Sequence, residues 1–118
     1  GNLTLSAGAM GYGTGAGGTV TQATSKSTAV TLNKPSGTIT MHNASLAAGA
    51  SVLFVLNNTF FASTDTVVLT GKAWSDRYRI ENTNNTTGSI GIRVTNTEAT
   101  SYSDPIGISF AVIKGATA

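Results

Sequence analysis

The sequence predicts a single all-β domain, an antiparallel β-sandwich of about eight strands, and three observations support this prediction. Short runs of alternating apolar and polar residues recur along the 118-residue chain, which is the pattern of strands with one buried face. Glycine, proline and asparagine separate these runs, as they do at turns. No stretch of the chain has the periodicity of a helix. Jelly-roll and immunoglobulin-like topologies both fit this pattern.

Residues 1–18 are rich in glycine and alanine and are predicted to be an arm or linker, which leaves residues 19–118 as the sandwich domain. The spacing G-x-G-x-x-G of dinucleotide-binding loops occurs in this arm, at Gly13, Gly15 and Gly18. In a dinucleotide site an apolar strand precedes these glycines and a helix follows them. Neither is predicted here, because the β-branched run Thr19-Val20-Thr21 follows the glycines. The pattern therefore indicates a flexible arm and no phosphate site.

The turn Lys34-Pro35-Ser36-Gly37 predicts a first hairpin. Proline fixes φ at the second position of a type I turn, and glycine suits the last position. A four-residue loop over this turn pairs Leu32 with Ile39 and Val30 with Met41. These four apolar side chains would then share one face of a sheet.

Residues 51–56 carry apolar side chains on both faces, which predicts either a central strand or a strand whose second face meets a partner. The preceding segment, 42–50, is predicted to cross from one sheet to the other. Of the adjacent residues Phe60 and Phe61, one is expected to reach the core and the other to stay outside it. Further strands are predicted at 19–23, 28–33, 38–41, 66–70 and 108–113, the last with Ile108, Phe110 and Val112 facing inward.

A second hairpin is predicted around the three-residue loop Thr86-Thr87-Gly88, with the glycine in the left-handed conformation. Its strands, near 78–82 and 89–96, are then in a register that pairs Asn85 with Ser89 and Glu81 with Arg93. The opposite charges of the second pair support this register.

Charged residues make up 10% of the chain, against about 25% in an ordinary soluble domain. Hydroxyl and amide side chains replace them. This composition fits either a surface outside a cell or on a virus particle, or a surface that neighbouring subunits cover. The net charge of +2 is small and scattered, so nucleic-acid binding is not expected. No apolar stretch is long enough to predict membrane insertion.

The titratable residues do not indicate catalysis or metal binding. His42 is the only histidine, and its nearest hydroxyl in sequence, Ser45, does not follow a strand-to-helix elbow. Glu81 is accounted for by Arg93, and Asp65 and the other aspartates occupy turns, where their side chains bond the local backbone. The chain has no cysteine. We therefore expect no catalytic residue, no metal and no cofactor, and the protein is predicted not to be an enzyme.

Aromatic residues in loops are the candidate interface or ligand contacts, because rigid rings supply contact area at low entropic cost. Each could instead anchor the edge of the core. Trp74 and Tyr102 are the preferred members of this set. The full set is Tyr12, Phe60, Phe61, Trp74, Tyr78 and Tyr102.

Two long segments, 17–41 with its Asn33-Lys34-Pro35-Ser36-Gly37 turn and 106–116, resemble a small domain that recurs in structural proteins of tailed bacteriophages and prophages. The resemblance continues through 45–50 and the strand after it, and the region 72–85 departs from it. It implies a non-enzymatic component of the virion, such as a capsid decoration protein or a head or tail fibre component. Such a protein would form homo-oligomers, with a trimer favoured, and would contact other phage structural proteins. The alternative is a receptor-binding module at a tail or fibre tip that recognises a glycan of the host surface.

Overall fold

The structure is a computed structural model, and it describes residues 17–115. These residues form two four-stranded sheets that pack face to face, with no helix among them, which confirms the predicted all-β sandwich of eight strands. Most of the predicted arm, including Tyr12, Gly13 and Gly15, lies outside the described residues. The strands are β1 (Thr19–Thr21), β2 (Val30–Thr31), β3 (Ser36–Thr40), β4 (Ser51–Asn57), β5 (Thr66–Ala73), β6 (Tyr78–Thr86), β7 (Ser89–Asn96) and β8 (Gly107–Ile113). The strand orders in the two sheets are β1-β3-β8-β5 and β2-β4-β7-β6.

The core lies between the two sheets and is built by alternate residues of their strands. In β8, Ile108, Phe110 and Val112 are buried, as the alternation predicts. β7 faces them from the other sheet and contributes Ile90, Ile92 and Val94, which are fully buried. The core is therefore a continuous apolar layer closed by both sheets.

The first predicted hairpin does not form. β2 pairs with β4, with Val30 opposite Leu56, whereas β3 pairs with β8, with Ile39 opposite Ile108. The predicted turn therefore carries the chain from one sheet to the other. Val30, Ile39 and Met41 are all buried in one core, but from opposite sheets. Alternation identifies which side chains are buried and not which strand lies beside them.

Two strand pairs also depart from the predicted antiparallel arrangement. β1 runs parallel to β3, and β2 runs parallel to β4, while the other recorded pairs are antiparallel. Both parallel strands are short and lie at the outer edge of their sheet. The prediction of a wholly antiparallel sandwich is wrong at these two edges.

The second hairpin, β6 with β7, forms, and its register at Glu81 and Arg93 is the predicted one. The turn itself is shorter than predicted, because Thr86 pairs with Ser89 and Asn85 pairs with Ile90. An irregularity between Asn82 and Asn85 takes up the extra residue. Gly88 has a φ of 84°, which confirms its left-handed conformation.

The bulge of β6 packs over a glycine of the neighbouring strand. A Cβ on Gly91 would lie 2.3 Å from Oγ1 of Thr83 and 2.8 Å from the carbonyl oxygen of Asn84. Real side chains do not approach so closely, so only glycine leaves room for the bulge at this position.

The middle of the chain follows the prediction more closely. Residues 42–50 cross from β3 to β4 and hence between sheets, and β4 lies inside its sheet order between β2 and β7. Phe61 is 1% exposed and Phe60 is 38% exposed, so one ring reaches the core and the other does not. β5 continues to Ala73, three residues beyond its predicted end.

Candidate functional site

The described aromatic candidates are divided between the two ends of the sandwich. The phenylalanine end, where β4 ends and β5 begins, carries Phe60 and Phe61. The tryptophan end, where β5 ends and β6 begins, carries Trp74, Tyr78 and Tyr102. The eight residues of β5 separate the ends by about 25 Å. The aromatic set therefore does not form one binding surface.

Four side chains converge at the tryptophan end. The guanidinium carbon of Arg77 lies 4.1 Å from the centroid of the Tyr102 ring. Nη1 of Arg77 is 3.5 Å from Oδ2 of Asp104, and the hydroxyl of Tyr78 donates to the same oxygen at 2.9 Å. Burial of Tyr78, together with this hydrogen bond, raises the pKa of its phenol to about 12. The carboxylate of Asp104 thus joins the loop after β5 to the loop before β8.

Tyr78 and Phe61 are buried, so their rings belong to the edge of the core. Tyr102 is partly exposed and covered on one side by Arg77. Trp74 differs from all of these, because its ring is 61% exposed. Its φ of 54° is also left-handed, an uncommon conformation for a bulky residue. The backbone at Trp74 therefore holds a large apolar ring out from the tryptophan end.

A buried lysine, Lys26, is hydrogen-bonded to the main chain at the tryptophan end. The ammonium of Lys26 donates to the main-chain carbonyl of Asp104 at 2.7 Å and also to that of His42. Burial of Lys26 lowers the pKa of its ammonium, and the charge of Asp104 offsets part of this effect. His42 lies just after β3, and its Nδ1 accepts a hydrogen bond from the main-chain amide of Ala44 at 3.1 Å. The only imidazole of the chain therefore makes a local hydrogen bond to the main chain.

Gln22 completes this buried network, and sequence reasoning missed it. Its Nε2 donates to the carbonyl oxygens of Lys26 and Thr28, at 2.8 and 3.0 Å. Its Oε1 accepts from the amide of His42 at 3.0 Å. Gln22 is 2% exposed. A polar residue in a threonine-rich segment gives no signal of burial, so only the three-dimensional structure reveals its role.

The phenylalanine end is closed by an ion pair. The ammonium of Lys114 lies 2.5 Å from Oδ2 of Asp65 and 4.9 Å from the centroid of the Phe60 ring. The same carboxylate accepts hydrogen bonds from the main-chain amides of Ala62 and Gly115, each at 2.9 Å. The hydrogen bond from Lys114 and those from the two amides lower the pKa of Asp65 to about 2. This cluster fastens the loop before β5 to the end of β8.

Glu81 has a different ionic partner from the predicted one. Its Oε1 lies 3.4 Å from Nε of Arg79 on the same strand. Arg93 lies opposite it in the register, but the recorded ion pair is the one with Arg79. Both side chains of that pair are well exposed, so the pair contributes little to stability.

The outer faces of the two sheets differ in charge. In the β1-β3-β8-β5 sheet, the register of β5 against β8 is regular from Thr66 to Gly71. Over this regular part, the outward positions of the sheet carry only hydroxyl and apolar side chains, and Val68 and Ile113 are exposed there. We call this surface the uncharged face. The outer face of the other sheet carries Arg79, Glu81 and Arg93. The outward residues of the uncharged face are Thr19, Thr21, Ser36, Thr38, Thr40, Thr66, Val68, Thr70, Ser109, Ala111 and Ile113.

Residues 17–115 show neither a metal-binding cluster nor a membrane-spanning helix. This part of the chain brings together no group of three or more histidine, aspartate or glutamate side chains that could hold a metal ion. It also contains no helix of the length and apolarity that crossing a membrane requires.

Comparisons with known proteins do not assign the chain to a family. No family model matches the chain, and neither a curated protein nor a solved structure is significantly similar to it.

Proposed function

We propose that the protein is a non-enzymatic structural component of a bacteriophage virion, such as a capsid decoration protein or a head or tail fibre component. It works through contacts with copies of itself, most simply as a trimer, and with other phage structural proteins. The observation that carries this proposal is the uncharged face. Charged groups are depleted from the cores of protein interfaces because they are costly to desolvate, and this face carries none.

The exposed apolar residues of the uncharged face lie next to one another. Val68 pairs with Ala111 across β5 and β8, and Ile113 follows Ala111 on the same face two residues later. Residues in these positions are close enough for their side chains to touch. This small apolar group, surrounded by hydroxyl side chains, suits contact with a flat protein surface.

The connectivity of the sheets supports the jelly-roll form of the sandwich over the immunoglobulin-like form. Between consecutive described strands, every connection crosses from one sheet to the other except the β6–β7 hairpin. A jelly roll has mostly such crossings, and it is a common building block of virus particles.

The self-association can be tested by light scattering over a range of protein concentrations, with the variants Val68→Lys and Ile113→Lys. We expect the protein to form a closed oligomer that either variant weakens, while thermal unfolding of the protomer changes little. Asn84→Lys adds the same charge at an exposed position of β6 and should leave the oligomer intact. Monomer at every concentration, together with no binding to isolated capsids or tails, would contradict the proposal.

A second candidate function, carbohydrate binding at a tail or fibre tip, is favoured by one observation. Trp74 presents an exposed ring from a left-handed backbone position, and exposed tryptophan rings can stack on the apolar faces of sugars. Because Trp74 is the single tryptophan, its fluorescence reports directly on a ligand at that ring. Titration with host-surface glycans should change this fluorescence, and Trp74→Ala should abolish adsorption to cells. Unchanged adsorption of a folded Trp74→Ala variant would exclude this function, with Phe60→Ala at the other end as the matched control.

A further inference from the structure

β5 is an edge strand of the β1-β3-β8-β5 sheet. It comes last in the strand order, and among the described residues its only strand partner is β8. The edge strand beside it in the other sheet is β6, which pairs only with β7 within the same residues. Native proteins protect such edges with charged side chains, prolines or bulges, because a bare edge attracts further strands.

The two edge strands differ in this protection. β6 carries the ion pair of Arg79 with Glu81, and its pairing with β7 is irregular. In β5 the segment Thr66–Thr70 contains no charged residue and no proline, and its register against β8 is regular. The first charge of the strand, Lys72, comes only at the later shift in register. The first half of β5 is therefore an edge without protection against pairing.

The main-chain groups on the open side of β5 belong to Val67 and Leu69. The amide of Val112 donates to the carbonyl oxygen of Pro35 at 2.7 Å, so the polar groups of Val112 point away from β5. Val67 lies opposite Val112, and in such an antiparallel pair its own polar groups point away from β8. Because this direction alternates along a strand, Leu69 also faces the open side, while Val68 between them bonds to β8. No main-chain hydrogen bond within residues 17–115 reaches Val67 or Leu69 on that side.

The sequence of this segment is nearly the same when it is read in either direction. Thr66-Val67-Val68-Leu69-Thr70 has a threonine at each end, an aliphatic residue next to each threonine, and a valine at the centre. Antiparallel pairing with an identical segment about Val68 sets Val67 opposite Leu69 and Thr66 opposite Thr70. In that register the outward amides and carbonyls of Val67 and Leu69 face each other, as a hydrogen-bonded pair requires.

We propose that β5 of one molecule pairs with β5 of a second copy, antiparallel and centred on Val68, so that the two sheets join into one. A two-fold axis then passes through the Val68 pair, as in most soluble dimers. The side chain of Val68, 46% exposed, meets its counterpart on the outer face. Val67 and Leu69 are only partly buried against the core, and in this pairing they cover one another on the inner face.

This contact is separate from a contact through the uncharged face. It uses the main chain of the edge, whereas the face uses outward side chains. Val68 belongs to both surfaces, but Ile113 lies on β8 and belongs only to the face. The edge contact does not rest on the proposed virion function, and Ile113→Lys distinguishes the two contacts.

Disulfide cross-linking tests the register, because the chain has no cysteine of its own. The Val68 pair is not hydrogen-bonded, so its Cα atoms are about 4.5 Å apart, which a disulfide can bridge. We expect Val68→Cys to form a disulfide-linked dimer on mild oxidation, also when it is combined with Ile113→Lys. Thr66→Cys and Thr70→Cys should each stay unlinked, because the identical residues of the two copies are about 14 Å apart. A mixture of these two variants should link, since Thr66 lies opposite Thr70.

Amide hydrogen exchange of the unsubstituted protein tests the same contact without any variant. The amides of Val68 and Thr70 should be protected at every concentration, since they are bonded to β8. The amides of Val67 and Leu69 should be protected only in the paired form. We expect them to exchange at least about tenfold faster after dilution to the monomer.

Four results would overturn the proposal. The first is the absence of a linked Val68→Cys dimer, and the second is its loss on addition of Ile113→Lys, which would assign the contact to the uncharged face. The third is linking of Thr66→Cys alone as efficient as that of the mixture with Thr70→Cys. The fourth is exchange at Val67 and Leu69 that does not depend on protein concentration.

Discussion

The carboxylate of Asp65 and the ammonium of Lys114 lie 2.5 Å apart, and together they join the loop before β5 to the residues after β8. The side chain of Asp65 is almost fully buried, while that of Lys114 is half exposed. The buried carboxylate accepts hydrogen bonds from the main-chain amides of Ala62 and Gly115 as well as from Lys114. At the phenylalanine end, the contacts among Ala62, Lys114 and Gly115 are all made through the ionised carboxylate of Asp65.

Acid should weaken the protein through Asp65. Its pKa is about 2 in the folded protein and 3.8 as the reference value, so the stabilisation is present above pH 3.8 and is lost as the pH falls to about 2. We expect Asp65→Asn to be less stable than the unchanged protein at neutral pH. The difference should shrink between pH 4 and pH 2 in urea unfolding. A difference that stays constant over this range would show that the charge of Asp65 is not involved.

Alkali should weaken the protein through Tyr78. Its phenol has a pKa of about 12 in the folded protein, against 10.0 for an unperturbed tyrosine. The folded state therefore binds this proton more tightly than the unfolded state does. The stabilisation is therefore complete below pH 10 and is lost as the pH rises towards 12. Tyr78→Phe removes the titrating group, and its stability should fall less over this window than that of the unchanged protein. Parallel curves for the two proteins would contradict the prediction.

Asn96→Ala should destabilise the protein by about 1–3 kcal/mol, because it leaves buried main-chain groups without partners. The side-chain Nδ2 of Asn96 donates to the main-chain carbonyl oxygens of Leu46 and Thr100, and its Oδ1 accepts from the main-chain amide of Glu98. Urea unfolding measures the change. Asn43→Ala alters an exposed asparagine and should change stability by less than about 0.5 kcal/mol. Equal effects of the two substitutions would show that burial of Asn96 is not the cause.

Gly91→Ala should destabilise the β6–β7 hairpin by about 1–3 kcal/mol, because the added methyl group meets Thr83 and the main chain of Asn84. Gly17→Ala is the matched control, since its Cβ would lie 3.7 Å from Oγ of Ser36, an ordinary contact. Thermal unfolding distinguishes the two variants. A stable Gly91→Ala protein would mean that the bulge can move away at no cost.

Trp74→Gly should be more stable than Trp74→Ala by about 1 kcal/mol, because the left-handed conformation is unfavourable for any residue with a Cβ. Both variants remove the exposed ring, so the comparison isolates the backbone. Urea unfolding of the two variants provides the measurement. If alanine is equally tolerated, the backbone at position 74 has relaxed to another conformation.

Much of the fold can be predicted from local patterns, because burial of one strand face leaves a signal within a few residues. The alternation of Ile108, Phe110 and Val112 is such a signal, and so is the left-handed turn at Gly88. Strand neighbours leave no local signal. Val30 and Ile39 face the same core in either arrangement, so their pattern cannot distinguish a hairpin from a crossing between sheets.

In the candidate site, too, some features leave a local signal in the sequence and others do not. The alternation of an extended chain predicts the separate environments of Phe60 and Phe61, whereas the structure separates the two rings at a turn in which the amide of Phe61 donates to the carbonyl oxygen of Asn58. The stacking of Arg77 on Tyr102 joins residues 25 positions apart and could not be predicted. It depends on the Leu46–Tyr102 bridge and on the ends of strands from both sheets.

The position of β8 has a consequence for the synthesis of the protein. β8 lies between β3 and β5, and its first residue, Gly107, pairs with Thr40 at the end of β3. At typical translation rates the ribosome needs roughly 3 to 13 s to add the residues between them. We expect β3 to lack this neighbour throughout that time, and β5 to lack it from the moment that β5 itself has been made. The strands of the β2-β4-β7-β6 sheet all precede β8, but the other sheet is incomplete without it, so the core between the two sheets should close only after β8 has emerged from the ribosome.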